Sequence, residues 1–287
     1  MNRRDIIKGV GGGMIASFFH NELFAASSPT AGSFRIGACD WSINNTGNLG
    51  AMEMAKRIGL DGVQVSLGSA ENNMHLRQKD VQQAYKALAD IFKIGFTGLG
   101  IGELNNIPYK SDDRTDEWVS DSIDVAKELG VKVILLAFFY NGDLKNDPKG
   151  QDAVIRKFRQ VAPKAERLGI TLGIESWLSA EEHMKIIDAV GSKAIKCYYD
   201  VANSQQMGYD IYKEMRWLGK QNQICEFHFK ENGSLLGKGK VDFAEVRRCI
   251  DEIGYMGCIQ IEGAVPEGKS MFESYLQNND FVRGLMK

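Results

Sequence analysis

Short apolar runs alternate along the chain with longer stretches in which apolar residues recur every three or four positions. Short apolar runs are typical of buried strands, and the wider spacing is typical of helices that cover a sheet with one face. The pattern predicts eight strands, at Phe34–Asp40, Gly62–Leu67, Phe96–Ile101, Val131–Phe138, Thr171–Glu175, Ile195–Asp200, Ile224–His228 and Gly257–Glu262.

Several of the intervening helices are predicted to end in glycine just before the next strand, because glycine takes the left-handed backbone of a helix terminus without steric cost. These glycines are Gly59, Gly95, Gly130, Gly169 and Gly254. Strict alternation of strand and helix implies a parallel sheet of the α/β class. The eight strand-and-helix units account for the chain with no segment left over, which favours one (β/α)₈ TIM barrel domain over residues 31–287. An open doubly wound sheet is the alternative, but the turn at 41–48 lacks the GxGxxG of nucleotide-binding sheets.

The first thirty residues have a different composition and are excluded from the barrel. Arg3 and Arg4 precede two isoleucines and Lys8, a weakly apolar glycine-rich stretch follows at 9–19, and small residues lie at 25–27. This order predicts a twin-arginine export signal over residues 1–30 and a periplasmic location. A disordered or helical N-terminus is the alternative. The apolar stretch is too short to span a membrane, which takes about 20 residues.

The composition limits the classes of binding partner and metal site that are expected for this chain. Charged residues make up 25% of the 287-residue chain, the net charge is −2, and no long basic run occurs, so a nucleic-acid partner is not expected. The sequence leaves homo-oligomerisation open. The five cysteines form no CxxC pair, which leaves a thiolate zinc site unsupported.

Four consecutive strands, the fifth to the eighth, are predicted to end in an ionisable residue. Because the carboxyl ends of neighbouring parallel strands lie about 4.8 Å apart, these side chains can converge on one ion. Three carboxylates and one imidazole suit a single divalent metal, here expected to be Mn²⁺, with Mg²⁺, Co²⁺ and Zn²⁺ as alternatives. The alternative is that each residue independently caps a strand or a helix. The four residues are Glu175, Asp200, His228 and Glu262.

These strand ends and the segments around them resemble the xylose-isomerase-like barrel superfamily, which includes ketose 3-epimerases, inosose dehydratases and 3-keto-glycoside lyases. The resemblance spans 31–287 and is most specific at 171–263. It is carried by Gly-Ile-Glu175, Tyr-Asp200-Val-Ala-Asn203, Phe-His228-Phe-Lys230-Glu231, Gly237-Lys-Gly239 and the strand end Gln-Ile-Glu262.

The resemblance implies that the four strand-end residues hold the metal and that Glu175 and Glu262 also move protons on opposite faces of a sugar. Lys230 matches a lysine of the dehydratase-like branch and is expected to be catalytic. Two positions depart from the ketohexose 3-epimerase pattern: Asn203 stands where histidine is common, and Ser234 stands where arginine is common.

Loop residues near the strand ends are further candidates for substrate binding. Each has a structural alternative, as a wall, surface or helix-capping residue. The candidates are Trp41, His75, Glu103, Trp177 and Asn203. Glu181 and His183 are instead interpreted as residues of a helix, with His183 at its surface.

The first hypothesis for function is proton abstraction beside a carbonyl of an unphosphorylated sugar, giving isomerisation or epimerisation. The lack of phosphate follows from export, because sugar phosphates are scarce outside the cytoplasm. The alternative is a lyase or dehydratase in which the same enediolate expels an aglycone or water from a 3-keto-glycoside or keto-sugar. Phosphodiester cleavage and non-catalytic sugar binding fit the sequence less well.

Overall fold

The computed structural model describes residues 34–287, so the predicted export signal lies outside the described residues. Eight strands form a closed parallel barrel in which each strand pairs with the next and the eighth pairs with the first. The strands are β1 Arg35–Cys39, β2 Gly62–Ser66, β3 Gly95–Ile101, β4 Val133–Phe138, β5 Thr171–Ser176, β6 Ile195–Asp200, β7 Ile224–Glu231 and β8 Cys258–Gly263. The predicted barrel is confirmed.

Helices alternate with these strands around the outside of the barrel. They are α1 Gly50–Ile58, α2 Lys79–Phe92, α3 Arg114–Leu129, α4 Pro148–Leu168, α5 Ala180–Val190, α6 Val201–Gln206, α7 Ile211–Lys220, α8 Phe243–Ile253 and α9 Met271–Leu285. The core between barrel and helices is apolar, as the alternating pattern predicts.

Four of the five predicted glycine terminators hold the left-handed backbone at the ends of α1, α3, α4 and α8. The prediction for Gly95 was wrong, because α2 ends at Phe92 and the next residue, Lys93, itself takes the left-handed conformation with φ 55°. Gly95 is the first residue of β3, where a Cβ would collide with the guanidinium of Arg35. Glycine at position 95 therefore leaves space for Arg35 and is not a helix terminator.

The interior of the barrel is divided into an apolar and a polar side. Leu135 and Ala137 on β4 and Phe139 directly after it pack with Tyr198 in an apolar cluster inside the barrel. Buried polar side chains come instead from β2, β7 and β8, namely Gln64, Glu226, His228 and Gln260. This division extends up to the C-terminal ends of the strands, where the candidate site lies.

Candidate active site

The four predicted strand-end residues come together at the C-terminal end of the barrel. One ligand atom from each of them lies within 4.8 Å of the others, and all four side chains are largely buried. The register explains the convergence, since Asp200 on β6 is paired with His228 on β7. His228 Nδ1 lies 2.8 Å from Glu175 Oε1, 3.5 Å from Glu262 Oε2 and 3.9 Å from Asp200 Oδ2.

Asp200 shows that this cluster fits a cation. Its Oδ1 accepts hydrogen bonds from the backbone amides of Ala202 and Asn203, both at 2.8 Å, which also caps α6. Its Oδ2 is buried without a hydrogen-bond partner among the described residues and faces the cluster. A buried carboxylate oxygen without a donor is costly unless a cation neutralises it. Burial accordingly raises the pKa of Asp200, although the charge of Lys230 opposes the shift.

Strand β7 was predicted to end at His228, but it continues to Glu231. Lys230 therefore lies in the same strand, two residues after His228. Its Nζ lies 2.7 Å from Glu262 Oε2 and 3.6 Å from Asp200 Oδ2. Glu262 also accepts a hydrogen bond of 2.8 Å from the indole Nε1 of Trp41. Burial alone would raise the pKa of Glu262, but the charges of Lys230 and His228 and these hydrogen bonds outweigh it and lower the pKa.

Gln64 on β2 fixes the orientation of the His228 ring. Its Oε1 lies 3.0 Å from His228 Nε2, and its amide nitrogen donates to the Tyr198 hydroxyl at 3.1 Å. With the amide oxygen facing the ring, His228 carries its proton on Nε2. Burial lowers the pKa of the His228 ring, but the neighbouring carboxylates of Glu175 and Glu262 outweigh burial and raise this pKa above its usual value. Nδ1 therefore also holds a proton beside these carboxylates, and a metal bound at Nδ1 would replace that proton.

A chain of buried hydrogen bonds continues from Gln64 to the other side of the barrel. The Tyr198 hydroxyl donates to Glu226 Oε1 at 3.1 Å, and Gln260 donates to the same oxygen at 2.6 Å. Thr97 donates to Gln260 Oε1 at 3.0 Å. With Glu226 Oε1 accepting from both sides, the chain of donors runs from His228 Nε2 through Gln64 and Tyr198 to Glu226. Burial raises the pKa of Glu226 to about 8.

A second grouping of potential ligands combines Cys39 with His228 and Glu262. Burial raises the pKa of the Cys39 thiol to about 12, which disfavours the thiolate that would bind a metal. The thiol lies 3.1 Å from Gln64 Oε1 and 3.2 Å from His228 Nε2. Cys39 therefore packs behind the histidine, and the three-carboxylate cluster is the better metal site.

A cavity of about 470 Å³ opens directly above the cluster. Glu175, Glu262 and Lys230 line its floor. Polar loop residues form one wall, and Leu135, Ala137, Phe139, Tyr140 and Trp177 form an apolar wall on the side of β4 and β5. Such a cavity, with a few convergent charged groups, is the usual form of a small-molecule site.

Residues 52–279 match the family model described as the xylose isomerase-like TIM barrel. The chain belongs to this family. A curated relative, D-psicose 3-epimerase of Enterocloster bolteae, is 25% identical over 135 residues, and the match spans 44% of each chain.

Solved structures share the fold across most of the chain. D-psicose 3-epimerase from Clostridium cellulolyticum H10 superposes with a TM-score of 0.75 at 18% identity, covering 88% of this chain and all of that one. The 3-keto-D-glucoside 4-epimerase of E. coli gives a TM-score of 0.73 at 14% identity with the same coverage. Identities this low establish the fold of this xylose isomerase-like barrel but not its substrate.

Most of the predicted substrate-binding residues line the cavity: Trp41, Glu103, Trp177 and Asn203. The indole of Trp41 lies over Gly100 of β3, where any Cβ would come within 3.0 Å of the ring. His75 is not among the lining residues. Its half-buried ring packs near Tyr85 at 6.3 Å between centroids, and burial lowers its pKa. Its predicted role in substrate binding stays a prediction.

The interpretation of His183 as a surface residue was wrong. His183 is buried in α5, with Ser176 Oγ at 3.0 Å from Nε2 and the Ser179 carbonyl at 3.0 Å from Nδ1. Burial lowers its pKa to about 4, so the ring is neutral and structural. Glu181 lies in the first turn of α5, as interpreted, and does not line the cavity.

Sequence reasoning missed Gln64 and the aromatic residues Phe139 and Tyr140. Gln64 carried a usable signal, because it is a polar residue at an inward position of an otherwise apolar strand. Phe139 and Tyr140 belong, with Phe138, to an aromatic run that the pattern alone assigns to the core. Among the described residues, no helix is long and apolar enough to cross a membrane.

Proposed function

We propose that this chain is a divalent-metal-dependent enzyme that removes a proton next to a carbonyl of an unphosphorylated sugar and returns it elsewhere, as an isomerase or epimerase does. The observation that carries the proposal is the placement of Glu175 and Glu262. Both carboxylates line the same cavity, from strands β5 and β8 that are separated by two others, and both belong to the cluster suited to a metal. Two carboxylates on different sides of one substrate can remove and return a proton on different faces.

In this mechanism Glu175, Asp200, His228 and Glu262 hold the ion. When bound, the ion supplies positive charge beside the sugar oxygens, which favours the enediolate over the neutral sugar. Glu175 takes the proton from the carbon next to the carbonyl, and the C–H electron pair becomes the carbon–carbon double bond. Glu262 Oε2 lies 2.7 Å from Lys230 Nζ, so Glu262 can take a proton from this ammonium and return it to a carbon of the enediolate, whose double-bond electron pair forms the new C–H bond.

The composition of the cavity supports an unphosphorylated substrate. Lys230 is the one basic residue that lines it in the described part of the chain, and its ammonium already contacts two carboxylates. A phosphate would need free cationic or backbone donors. The similarity to D-psicose 3-epimerase and 3-keto-D-glucoside 4-epimerase supports a sugar as substrate.

A second candidate is elimination from a 3-keto-glycoside or keto-sugar through the same enediolate. Here the electron pair of the enediolate breaks the bond to an oxygen two carbons from the carbonyl, and the leaving oxygen takes up a proton. The position of Lys230 favours this candidate, because its ammonium lies in the cavity and can donate that proton.

One experiment separates these outcomes. The Mn²⁺-loaded protein is incubated with free ketohexoses and with a 3-keto-glucoside in deuterated water and followed by NMR. Deuterium uptake or an epimer without bond cleavage supports the isomerase or epimerase, whereas release of the aglycone or of water supports the lyase.

Glu175→Gln should abolish either reaction. Glu181→Gln is the matched control, because this exposed glutamate lies outside the cavity. If metal binds but neither substrate changes, the proposed function is contradicted. We also propose export through the twin-arginine route, on the basis of residues 1–30.

A further inference from the structure

Three aromatic residues form a continuous wall at the mouth of the cavity. Phe139 and Tyr140 follow β4, and Trp177 follows β5. Trp177 packs edge-on against both, with ring centroids 5.2 Å from Phe139 and 5.6 Å from Tyr140. These three residues are called the aromatic rim. The rim continues the apolar stripe of β4, since Leu135 and Ala137 line the cavity below it.

Tyr140 is unusual within this rim. Its side chain is 75% exposed, although it is large and aromatic, and its φ is 50°, in the left-handed region that residues with a Cβ rarely adopt. Unfavourable backbone conformations of this kind persist where the surrounding structure enforces them, and they cluster at ligand sites.

The surrounding contacts hold the rim in place. The Phe139 amide donates to Asn105 Oδ1 at 2.9 Å, and the Gly142 amide donates to the Phe139 carbonyl at 2.8 Å. On the β5 side, the Tyr209 hydroxyl donates to the Trp177 carbonyl at 2.8 Å. The rim is therefore preformed, which reduces the entropy lost when a ligand binds.

The cavity is also larger than one sugar requires. A pyranose with its hydroxyl groups fills on the order of 200 Å³ at the packing density of organic crystals, whereas the cavity measures about 470 Å³. A sugar with its carbonyl at Glu175 and Glu262 would occupy the floor and leave the space beside the aromatic rim unfilled.

We propose that the substrate is a glycoside, whose reacting sugar lies on the cavity floor and whose attached group packs against Phe139, Tyr140 and Trp177. This inference rests on the proposed function for the position of the reacting sugar. The attached group presents a flat apolar face, which either an aromatic aglycone or a second pyranose ring supplies, because both stack on aromatic side chains.

Binding of unreactive glycosides tests this without any turnover. Full-length protein loaded with Mn²⁺ is titrated by calorimetry with methyl glucoside, 4-nitrophenyl glucoside and a glucose disaccharide. Wild-type protein should bind the aryl glucoside or the disaccharide about tenfold more tightly than methyl glucoside, and the tighter of the two identifies the attached group.

Tyr140→Asn removes the ring but suits the left-handed backbone, because asparagine tolerates positive φ. It should abolish most of the tenfold preference, whereas Tyr140→Phe, which keeps the ring, should retain it. Ile91→Asn, which alters a 68% exposed apolar residue on α2 outside the cavity, is the matched control and should bind as the wild type does. Melting curves verify that each variant is folded.

Equal binding of the three ligands, or an equal loss for all of them in Tyr140→Asn, would overturn the aromatic subsite. Failure of the proposed function looks different. In that case no keto-sugar reacts, yet the aryl or disaccharide preference and its dependence on the Tyr140 ring persist, which supports the subsite.

Discussion

Replacing Gln64 by leucine tests whether the hydrogen bond behind His228 controls metal binding. Gln64 is fully buried, and its Oε1 accepts from His228 Nε2 at 3.0 Å. Leucine has a similar size but no acceptor, so the buried ring N–H loses its oxygen partner and keeps only the sulfur of Cys39, 3.2 Å away. The ring is then free to exchange its proton between the two nitrogens or to rotate.

The expected loss is large enough to measure. An unsatisfied buried donor costs about 1–3 kcal/mol, which corresponds to roughly a 5- to 150-fold change in an equilibrium constant. Loss of a hydrogen-bond partner behind a metal ligand typically weakens affinity about 10- to 100-fold. We therefore expect the Kd for Mn²⁺ to rise 10- to 100-fold in Gln64→Leu.

The assay is a titration of metal-free protein with Mn²⁺, in which the free ion is followed by electron paramagnetic resonance. Gln82→Leu is the matched control. Gln82 is also buried and donates to the Leu76 carbonyl at 2.8 Å, but it belongs to α2 and lies outside the metal cluster. It should lower the melting temperature without changing the Kd. If folded Gln64→Leu binds Mn²⁺ within about threefold of wild type, the orienting role of Gln64 is refuted.

Three further predictions test the charges of the site and the N-terminus. Lys230→Met should lower kcat about 100-fold or more, as expected for loss of a proton donor, while Mn²⁺ affinity is kept or increased; unchanged turnover would contradict its catalytic role. Glu226→Gln keeps an acceptor for its two donors but cannot ionise. Because burial raises the pKa of Glu226 from 4.5 to about 8, the folded protein holds this proton more tightly than the unfolded chain. The wild type should therefore lose stability as the pH rises from about 4.5 through 8. Between pH 5 and 9, the melting temperature of the variant should fall less than that of the wild type. An equal fall in both proteins would contradict the raised pKa of Glu226. Changing Arg3 and Arg4 together to lysine should leave the full-length precursor in the cytoplasmic fraction, and undiminished export would contradict the twin-arginine route.

The barrel and the four strand-end residues were predictable because both depend on local pattern. Alternating strands and helices define a parallel barrel, and the barrel places consecutive strand ends side by side. The relation of Asp200 to His228 therefore follows from the strand order without knowledge of any side-chain contact. The ends of the strands follow less directly from the pattern. Strand β7 runs three residues past its predicted end at His228, which places Lys230 inside the strand.

The remaining features depend on contacts between distant parts of the chain. The partner of His228 is Gln64, 164 residues away, and nothing in the local pattern pairs them. The hydrogen-bond partners of His183, Ser176 and Ser179, are near it in the sequence, but its burial depends on which face of α5 packs against the rest of the barrel. Tyr140 resembles a core residue in sequence, and its exposure follows from the positive φ of the turn after β4.

The charges of the site bear on which ion the cluster would hold. With an ion bound at Nδ1 of His228, the three carboxylates and the neutral imidazole would carry three negative charges, and the ammonium of Lys230 next to Glu262 and Asp200 offsets one of them. Two negative charges remain in a largely buried cluster, where uncompensated charge is costly. A divalent ion brings the total to zero, whereas a monovalent or trivalent ion leaves a net charge. Lys230→Met would restore the third negative charge, which is why its Mn²⁺ affinity should not fall even though turnover does.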